Sequence, residues 1–415
     1  MCREERQIYL IGIGMGTTRT LTEEGNEALQ MAELIIGAER MTAPFEKMGR
    51  NCLREYRPSA VRQFLESYSE YRICAIVLSG DTGFYSGAKG MAEKLGGMGE
   101  IHWIPGISSV AYLAARLGTS WEDAALVSVH GRFQNVVYAI AHNRKTFLLT
   151  DQKSGGQLYD KLRYYPFENV TVHIGNNLSY ETERIVSGKP EELHREDFGE
   201  LAVVMVENDA PDSRVCHHLK DEEFIRLEGE VHVPMTKEAV RTLSIGALEL
   251  TKDAVLYDIG AGTGSVSIEA AGMAPGIRVI AVEKKEEACE LIRKNCRKFK
   301  TDQVEVIPGM APEILEQMEE LEPPTHVFIG GSSGNLKEIL RFVRGKNPNA
   351  RIVINAISLE TVCEIMDAVK EGLIPEPQIQ QVMVSGARTL GSYHMMQAQN
   401  PVYIVSTGGE KGVGQ

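Results

Sequence analysis

The sequence predicts an α/β protein of two successive domains built on largely parallel sheets, and three observations lead there. Short β-branched or apolar runs alternate with segments of helical periodicity along most of the chain. Two of those runs break into glycine-rich loops, at 12–16 and 260–264. The length of 415 residues gives two or three cores at roughly 100–200 residues each.

In the first half, runs ending near Ile13, Leu78, Ile104, Val129, Leu149, Ile174 and Val206 read as strands, with amphipathic segments 21–33, 86–95 and 107–117 between several of them. A second series has strands at 254–259, 278–282, 304–307, 326–329 and 351–356. Helical segments at 236–249, 265–273, 285–299, 335–344 and 359–371 alternate with them. Runs 378–385 and 401–406 could pair as an antiparallel hairpin. Residues 208–232, of mixed charge and weak periodicity, read as a connector, so the expected domains are 1–207 and 233–415.

Composition excludes several classes. Hydrophobic residues at 43% and charged residues at 24%, with 40 Gly against 16 Pro, leave no room for disorder or collagen-like repeats. The net charge of −13 divides into −6 up to residue 210 and −7 beyond it, so neither half offers the basic footprint that a nucleic acid needs. No run approaches the ~18–20 apolar residues of a membrane span and the start has no signal-peptide core, so a cytoplasmic protein with no membrane partner is expected. The seven cysteines are scattered and the ten histidines form no ligand-spaced cluster. No protein-bound metal is expected.

Residues 8–16, I-Y-L-I-G-I-G-M-G, are a strand running into Gly12, Gly14 and Gly16. Lacking Cβ atoms, these let backbone N–H groups approach a ligand, although a tight turn would need them equally. Residues 78–87, L-S-G-D-T-G-F-Y-S-G, put Ser79, Gly80, Asp81, Gly83 and Phe84 at the carboxyl end of another strand, where open α/β sheets bind ligands. A simple turn closed by Asp81 is the competing reading. In W-I-P-G-I-S-S (103–109) a strand turns into a helix that starts at Ser108 and Ser109.

Taken in order, with V-S-V-H-G-R at 127–132 and V-H-I-G-N-N-L-S-Y-E-T-E-R-I at 172–185, these motifs resemble the tetrapyrrole methyltransferases of cobalamin biosynthesis over about the first 207 residues. Within them the match looks most like the cobalt-precorrin-7 C5-methyltransferase branch. Met15 and Thr82 stand where that family usually has proline, a loss of loop stiffness rather than of a donor. The resemblance implies two α/β subdomains with a cleft, and S-adenosyl-L-methionine held by the glycines and polar residues just named.

The second loop says more on its own. V-L-Y-D-I-G-A-G-T-G (255–264) is a strand, an acidic residue and Gly260, Gly262, Thr263 and Gly264, followed by a helix. The next strand ends in Glu283, about 20 residues on, where a carboxylate accepts hydrogen bonds from a ribose diol. Asp258 ahead of the loop can face a cationic amino-acid moiety, which separates a methyltransferase from a dinucleotide dehydrogenase. M-T-K-E-A-V-R (235–241), the D-I-G-A-G-T-G-S loop, F-I-G-G-S-S-G-N-L (328–336) and N-P-V-Y-I-V (400–405) resemble the cobalt-precorrin-6B C15-methyltransferases (decarboxylating). That resemblance implies a Rossmann-like methyltransferase domain with cofactor contacts at Thr236, Gly309, Met310 and Ala311 besides the loop. Met310 replaces a common acidic residue and can still pack on adenine.

Both halves in this order resemble the fused precorrin-6Y C5,15-methyltransferases (decarboxylating). The resemblance implies a bifunctional enzyme with one S-adenosyl-L-methionine site per domain, releasing S-adenosyl-L-homocysteine. Its substrate would be a precorrin or cobalt-precorrin, methylated at C5 and C15 and decarboxylated at the C12 acetate, and the enzyme a homo-oligomer. A polycarboxylate substrate calls for cations, and His130, Arg132 and Arg144 in the first half and Lys237, Arg241 and Arg388 in the second are the candidates for substrate contact or proton transfer. Competing readings are a methyltransferase acting on RNA or protein, and a fusion in which one half only binds or assembles.

Overall fold

A computed structural model describes residues 5–129, 135–214, 218–227, 233–318 and 320–409. The chain forms two compact units. One comprises most of the residues up to Pro211; the other comprises the residues from Asp212 on, with short stretches around 135–142 and 164–166.

The first unit holds two sheets. Strands β1 (Gln7–Gly12), β2 (Leu34–Gly37), β3 (Cys52–Arg54), β4 (Ile73–Leu78) and β5 (Glu100–Ile104) form a parallel sheet in the order β3-β2-β4-β1-β5. Both faces are covered, as a parallel sheet requires. Ile8, Leu10, Cys74 and Ile76 pack on helices Pro58–Ser67 and Ala88–Leu95, while Ile11, Ala75 and Val77 pack on Glu23–Met31 and Glu39–Lys47.

The second sheet joins β6 (Ala125–Ser128), β7 (Lys145–Thr150), β8 (Val170–Asn176), β9 (Arg184–Gly188) and β10 (Ala202–Asn208) in the order β6-β7-β10-β8-β9. Only β6 and β7 run parallel. The expectation of largely parallel sheets fails here because β8, β9 and β10 follow one another without the long helical crossovers that parallel pairing needs.

The second unit has a seven-stranded sheet of β11 (Val255–Ile259), β12 (Arg278–Glu283), β13 (Val304–Pro308), β14 (His326–Ile329), β15 (Arg351–Ala356), β16 (Gln378–Val382) and β19 (Val402–Thr407). Their order is β13-β12-β11-β14-β15-β19-β16. β19 is antiparallel to both of its neighbours. The strand order turns back between β11 and β14, which sets the loops after both at one switch point. Helices Leu336–Lys346 and Leu359–Lys370 cover one face, and Glu238–Leu248 and Ser265–Ala271 the other. The expected pairing of the last runs is present as β16 with β19. Unforeseen is a hairpin between them, β17 (Ser385–Leu390) with β18 (Tyr393–Ala398), exposed along its whole length.

The expected connector contains a packed segment. Leu219 and Phe224 are buried against Ile268, Ala281 and Ile292 of the second unit. Their position follows from Arg241, which has no exposed surface and must therefore be paired. Its Nε donates to Glu269 at 2.6 Å, and its Nη1 donates to Asp221 at 3.1 Å and to the Thr236 carbonyl at 2.7 Å. Nη2 donates to the Leu219 carbonyl, and the guanidinium lies 5.1 Å from the Phe224 ring centroid. Asp221 also accepts from the Glu238 N–H at 3.0 Å.

Arg241→Met leaves Glu269 buried without its cation and should destabilise the second unit by about 3–5 kcal/mol. Both tryptophans, Trp103 and Trp121, belong to the first unit. Urea unfolding followed by circular dichroism should therefore show an early transition, while the tryptophan fluorescence midpoint stays in place.

Candidate functional site

In the first unit β1 has β4 on one side and β5 on the other, so the loops leaving their carboxyl ends meet at one edge. They touch backbone to backbone. Gly14 and Gly80 exchange hydrogen bonds of 3.1 and 2.6 Å. A Cβ on Gly106 would lie 2.3 Å from the carbonyl oxygens of both Gly12 and Gly80, so no side chain fits at that crossing. Asp81 ties the loops together, accepting from the N–H groups of Gly83 at 2.8 Å and Gly106 at 3.1 Å. Ser108 caps helix Ser109–Leu117 by accepting from the Ala111 N–H at 3.1 Å. Gly12, Gly14, Gly16, Ser79, Gly80, Gly83, Phe84 and Ser109 lie in the same three segments.

Residues without an expected role join them. A Cβ on Gly16 would come within 2.4 Å of the Tyr180 hydroxyl. Thr17 Oγ1 lies 2.8 Å from Ser179 Oγ, the Ser179 N–H donates to Glu183 at 2.6 Å, and Arg40 donates to the Tyr180 hydroxyl at 3.1 Å. The stretch 172–185 thus reaches the first glycine loop, which no spacing in the sequence announces. Met15 and Thr82 are buried, Met15 against Val110, Leu113 and Phe147, so packing rather than a proline ring holds that loop. His130 and Arg132 lie outside the described residues. Arg144 is exposed and immediately precedes β7, at the end of the strand away from Thr150.

In the second unit a cavity of about 300 Å³ opens over the glycine loop, lined by Gly260, Gly262, Glu283, Gly309, Met310 and Ala311 of the sequence-expected set. Glu283 ends β12 and accepts from the Gly262 N–H at 3.0 Å and the Lys285 N–H at 3.0 Å. The strand-tip carboxylate therefore also shapes the loop. At Gly262, φ is +57° and a Cβ would lie 2.3 Å from the Pro234 carbonyl. Glycine alone lets segment 234–237 lie across the loop, where the Thr263 N–H donates to Pro234 at 3.2 Å. Gly330 to Ser333 line the same cavity, and Lys284 donates to Ser333 at 3.0 Å. The sequence of that stretch carries the resemblance without pointing to a contact. Its signal was position, directly after the strand that neighbours β11.

A second cavity of about 830 Å³ adjoins the first, with Val233, Pro234 and Gly330 lining both. Thr236, Thr263, Lys237 and Arg388 line this larger space. So do Arg226 and four amide side chains, Asn355, Gln397, Gln399 and Asn400, and among the described residues no Asp or Glu lines it. Arg388 is exposed, and Lys237 stands 3.8 Å from Asp221.

Three of the residues expected in this unit line neither cavity, and the expectations for them are corrected. Arg241 cannot meet a substrate carboxylate, because it is fully buried and spends its donors on Glu269, Asp221 and backbone carbonyls. Asp258 lines neither cavity. Its place on β11 seals it beneath the loop, where it has no exposed surface and accepts from the Ser267 hydroxyl at 2.5 Å while its Oδ1 has no partner. Gly264 turns the chain into helix Ser265–Ala271 at φ +77° and likewise stands outside both cavities.

Among the described residues no group of three or more His, Cys, Asp or Glu is placed to hold a metal ion, and no helix is long and apolar enough to cross a membrane.

A glycine loop and strand-tip carboxylate at the switch point, on a sheet whose seventh strand is reversed, define a Rossmann-like methyltransferase unit; the loops of the first unit meet at the corresponding edge of their own sheet. The comparisons with known proteins agree. Residues 230–407 match the precorrin methyltransferase domain, and residues 7–194 the tetrapyrrole (corrin/porphyrin) methylases. A probable cobalt-precorrin-6B C(15)-methyltransferase (decarboxylating) of Sulfurisphaera tokodaii is 41% identical over 191 residues, 45% of this chain and 95% of that protein. The cobalt-precorrin-6B C(15)-methyltransferase (decarboxylating) of Salmonella typhimurium is 35% identical over 189 residues, 45% of this chain and 94% of its own. A solved precorrin-6Y C5,15-methyltransferase from Geobacter metallireducens is 34% identical, covering 47% of this chain and 99% of that one, with a TM-score of 0.42. The chain belongs to the precorrin methyltransferases, enzymes that use S-adenosyl-L-methionine.

Burial pushes the Asp258 carboxyl up to about 7, against the pull of its Ser267 hydrogen bond. Ionising it therefore costs the folded state. Stability should fall as pH rises from the unfolded-state value of 3.8 to about 7 and then level off. Asp258→Asn keeps an acceptor for Ser267 and abolishes the titration. Its melting temperature relative to the parent should climb between about pH 4 and pH 8; a constant difference would contradict this origin of the shift.

Proposed function

We propose that this chain methylates C5 and C15 of a precorrin and decarboxylates its C12 acetate, with residues 1–207 serving C5 and residues 233–415 serving C15 and the decarboxylation. The observation that carries this reading is the pair of adjoining cavities in the second unit. The smaller has the room and the groups for a nucleoside, with Glu283 to accept from ribose hydroxyls, Met310 for the flat base and glycine backbone in close approach. The larger has room for a macrocycle, and its described lining holds three cations and four amides and no carboxylate, in a chain of net charge −13. That lining suits a ring carrying several acetate and propionate arms.

S-adenosyl-L-methionine supplies an electrophilic methyl group carried on a sulfonium. The protein's work is orientation, since the nucleophilic carbon belongs to the substrate. Val233, Pro234 and Gly330 form the shared wall where the two cavities meet, and as small or apolar groups they exclude water without obstructing transfer. Arg388 and Lys237 hold substrate carboxylates. Leaving the C12 acetate partly desolvated favours breaking its C–C bond, with carbon dioxide leaving, the electron pair drawn into the conjugated macrocycle and a proton from solvent completing the methyl group. In the first unit the crossing of Gly12, Gly80 and Gly106 offers the close backbone approach for a second cofactor site.

Titration calorimetry should give two S-adenosyl-L-homocysteine molecules per chain. Gly262→Leu should remove one of them and Gly106→Leu the other, each with the remaining affinity unchanged. Incubation with the corrinoid precursor and methyl-labelled cofactor should give a product with two labelled methyls and one carbon dioxide lost, read by mass spectrometry. Unchanged precursor beside labelled RNA or protein would overturn the reading.

A further inference from the structure

We infer that Arg226, carried by the segment that joins the two halves, is a specificity-determining residue of the second unit that binds a carboxylate arm of the macrocycle. The inference rests on the proposed C15 reaction and assigns a residue to it that no motif of either half contains. Arg226 lines the 830 Å³ cavity beside Leu227, and its one described hydrogen bond is from Nη2 to the Asp221 carbonyl at 3.0 Å. The rest of its planar fork is therefore available for a bidentate contact.

An exposed arginine on a connector would ordinarily be a solvated surface group. This one is held at its base. The neighbouring Ile225 gives its N–H to Asn295 Oδ1 at 2.8 Å, and Asn295 Nδ2 returns a bond to the Ile225 carbonyl at 3.3 Å. The same Nδ2 donates at 3.1 Å to the carbonyl of Thr263, in the cofactor loop. Asn295 has no exposed surface, and Phe224, the residue before Ile225, is buried against the Phe299 ring at 4.9 Å between centroids. One buried amide thus fixes the backbone beside Arg226 and the glycine loop together, so the cation keeps a set distance from the cofactor side of the cavity. Asn295 is a positioning residue in this arrangement.

Steady-state kinetics of the full chain on the precorrin test this. Arg226→Ala should raise the KM for methyl transfer to C15 about tenfold and leave its kcat within about twofold, the pattern of a lost ground-state contact. Methyl transfer to C5 should be unaffected, and S-adenosyl-L-homocysteine should bind with parental affinity and stoichiometry. Arg226→Lys, which keeps the charge and loses the fork, should recover only part of the KM. An unchanged KM for C15 in Arg226→Ala, with the parent methylating both carbons, would overturn the role of Arg226 and leave the proposed reaction standing. A parent that methylates neither carbon would overturn both.

Discussion

A guanidinium taken wholly out of water has to be met on every side, and that requirement at Arg241 organises the second unit. Glu269 comes from a helix of the domain, but Asp221 and the carbonyl of Leu219 come from the segment before it. Satisfying Arg241 therefore pulls residues 218–227 onto the domain, where Leu219 and Phe224 complete an apolar cluster. The Thr236 carbonyl is another partner, and the same stretch presents Pro234 to the glycine loop. One charge thus places both the strap over the loop and the connector residues at the larger cavity. A well-packed hydrophobic replacement for such a cluster can match it in stability, so its distinctive contribution is where it sends the chain.

Close backbone approach is the second constraint, and both units use it. In the first, three loops from adjacent strands cross with no room for a Cβ; in the second, Gly262 admits the Pro234 carbonyl. Sheet order makes this possible, because the strands that carry these loops are neighbours. The side chains that matter most there, Asp81 and Glu283, accept backbone N–H groups from the loops and so shape the walls they stand in.

The alternating strands and helices of the second unit could be read from the sequence almost to the residue, since each has a strong apolar period of its own. The glycine loops and Glu283 were legible for a related reason: their chemistry is local and their spacing short. Arg241 was not, because an arginine in a helix reads as surface until its distant partners Asp221 and Glu269 are known. Asp258 has the right residue type before the loop, but the direction in which its strand turns it is a property of the sheet. The hairpin of β17 and β18 escaped because its residues are exposed throughout and carry no alternation of buried and polar positions. The antiparallel part of the second sheet was hidden because a buried run looks the same whichever way it runs.

The cations among the described residues lining the large cavity also bear on how fast a substrate arrives. A polyanion approaching a body of net charge −13 meets repulsion first and attraction only at the cavity, which Arg226, Lys237 and Arg388 line. At an ionic strength near 0.15 M the Debye length is about 8 Å, short enough to screen the distant surface while leaving contacts inside the cavity largely intact. Moderate salt therefore speeds encounter for this pair, the reverse of what a basic protein shows with a polyanion. The acidic exterior then acts as a kinetic filter, favouring small acids dense enough in charge to gain from the cations once inside.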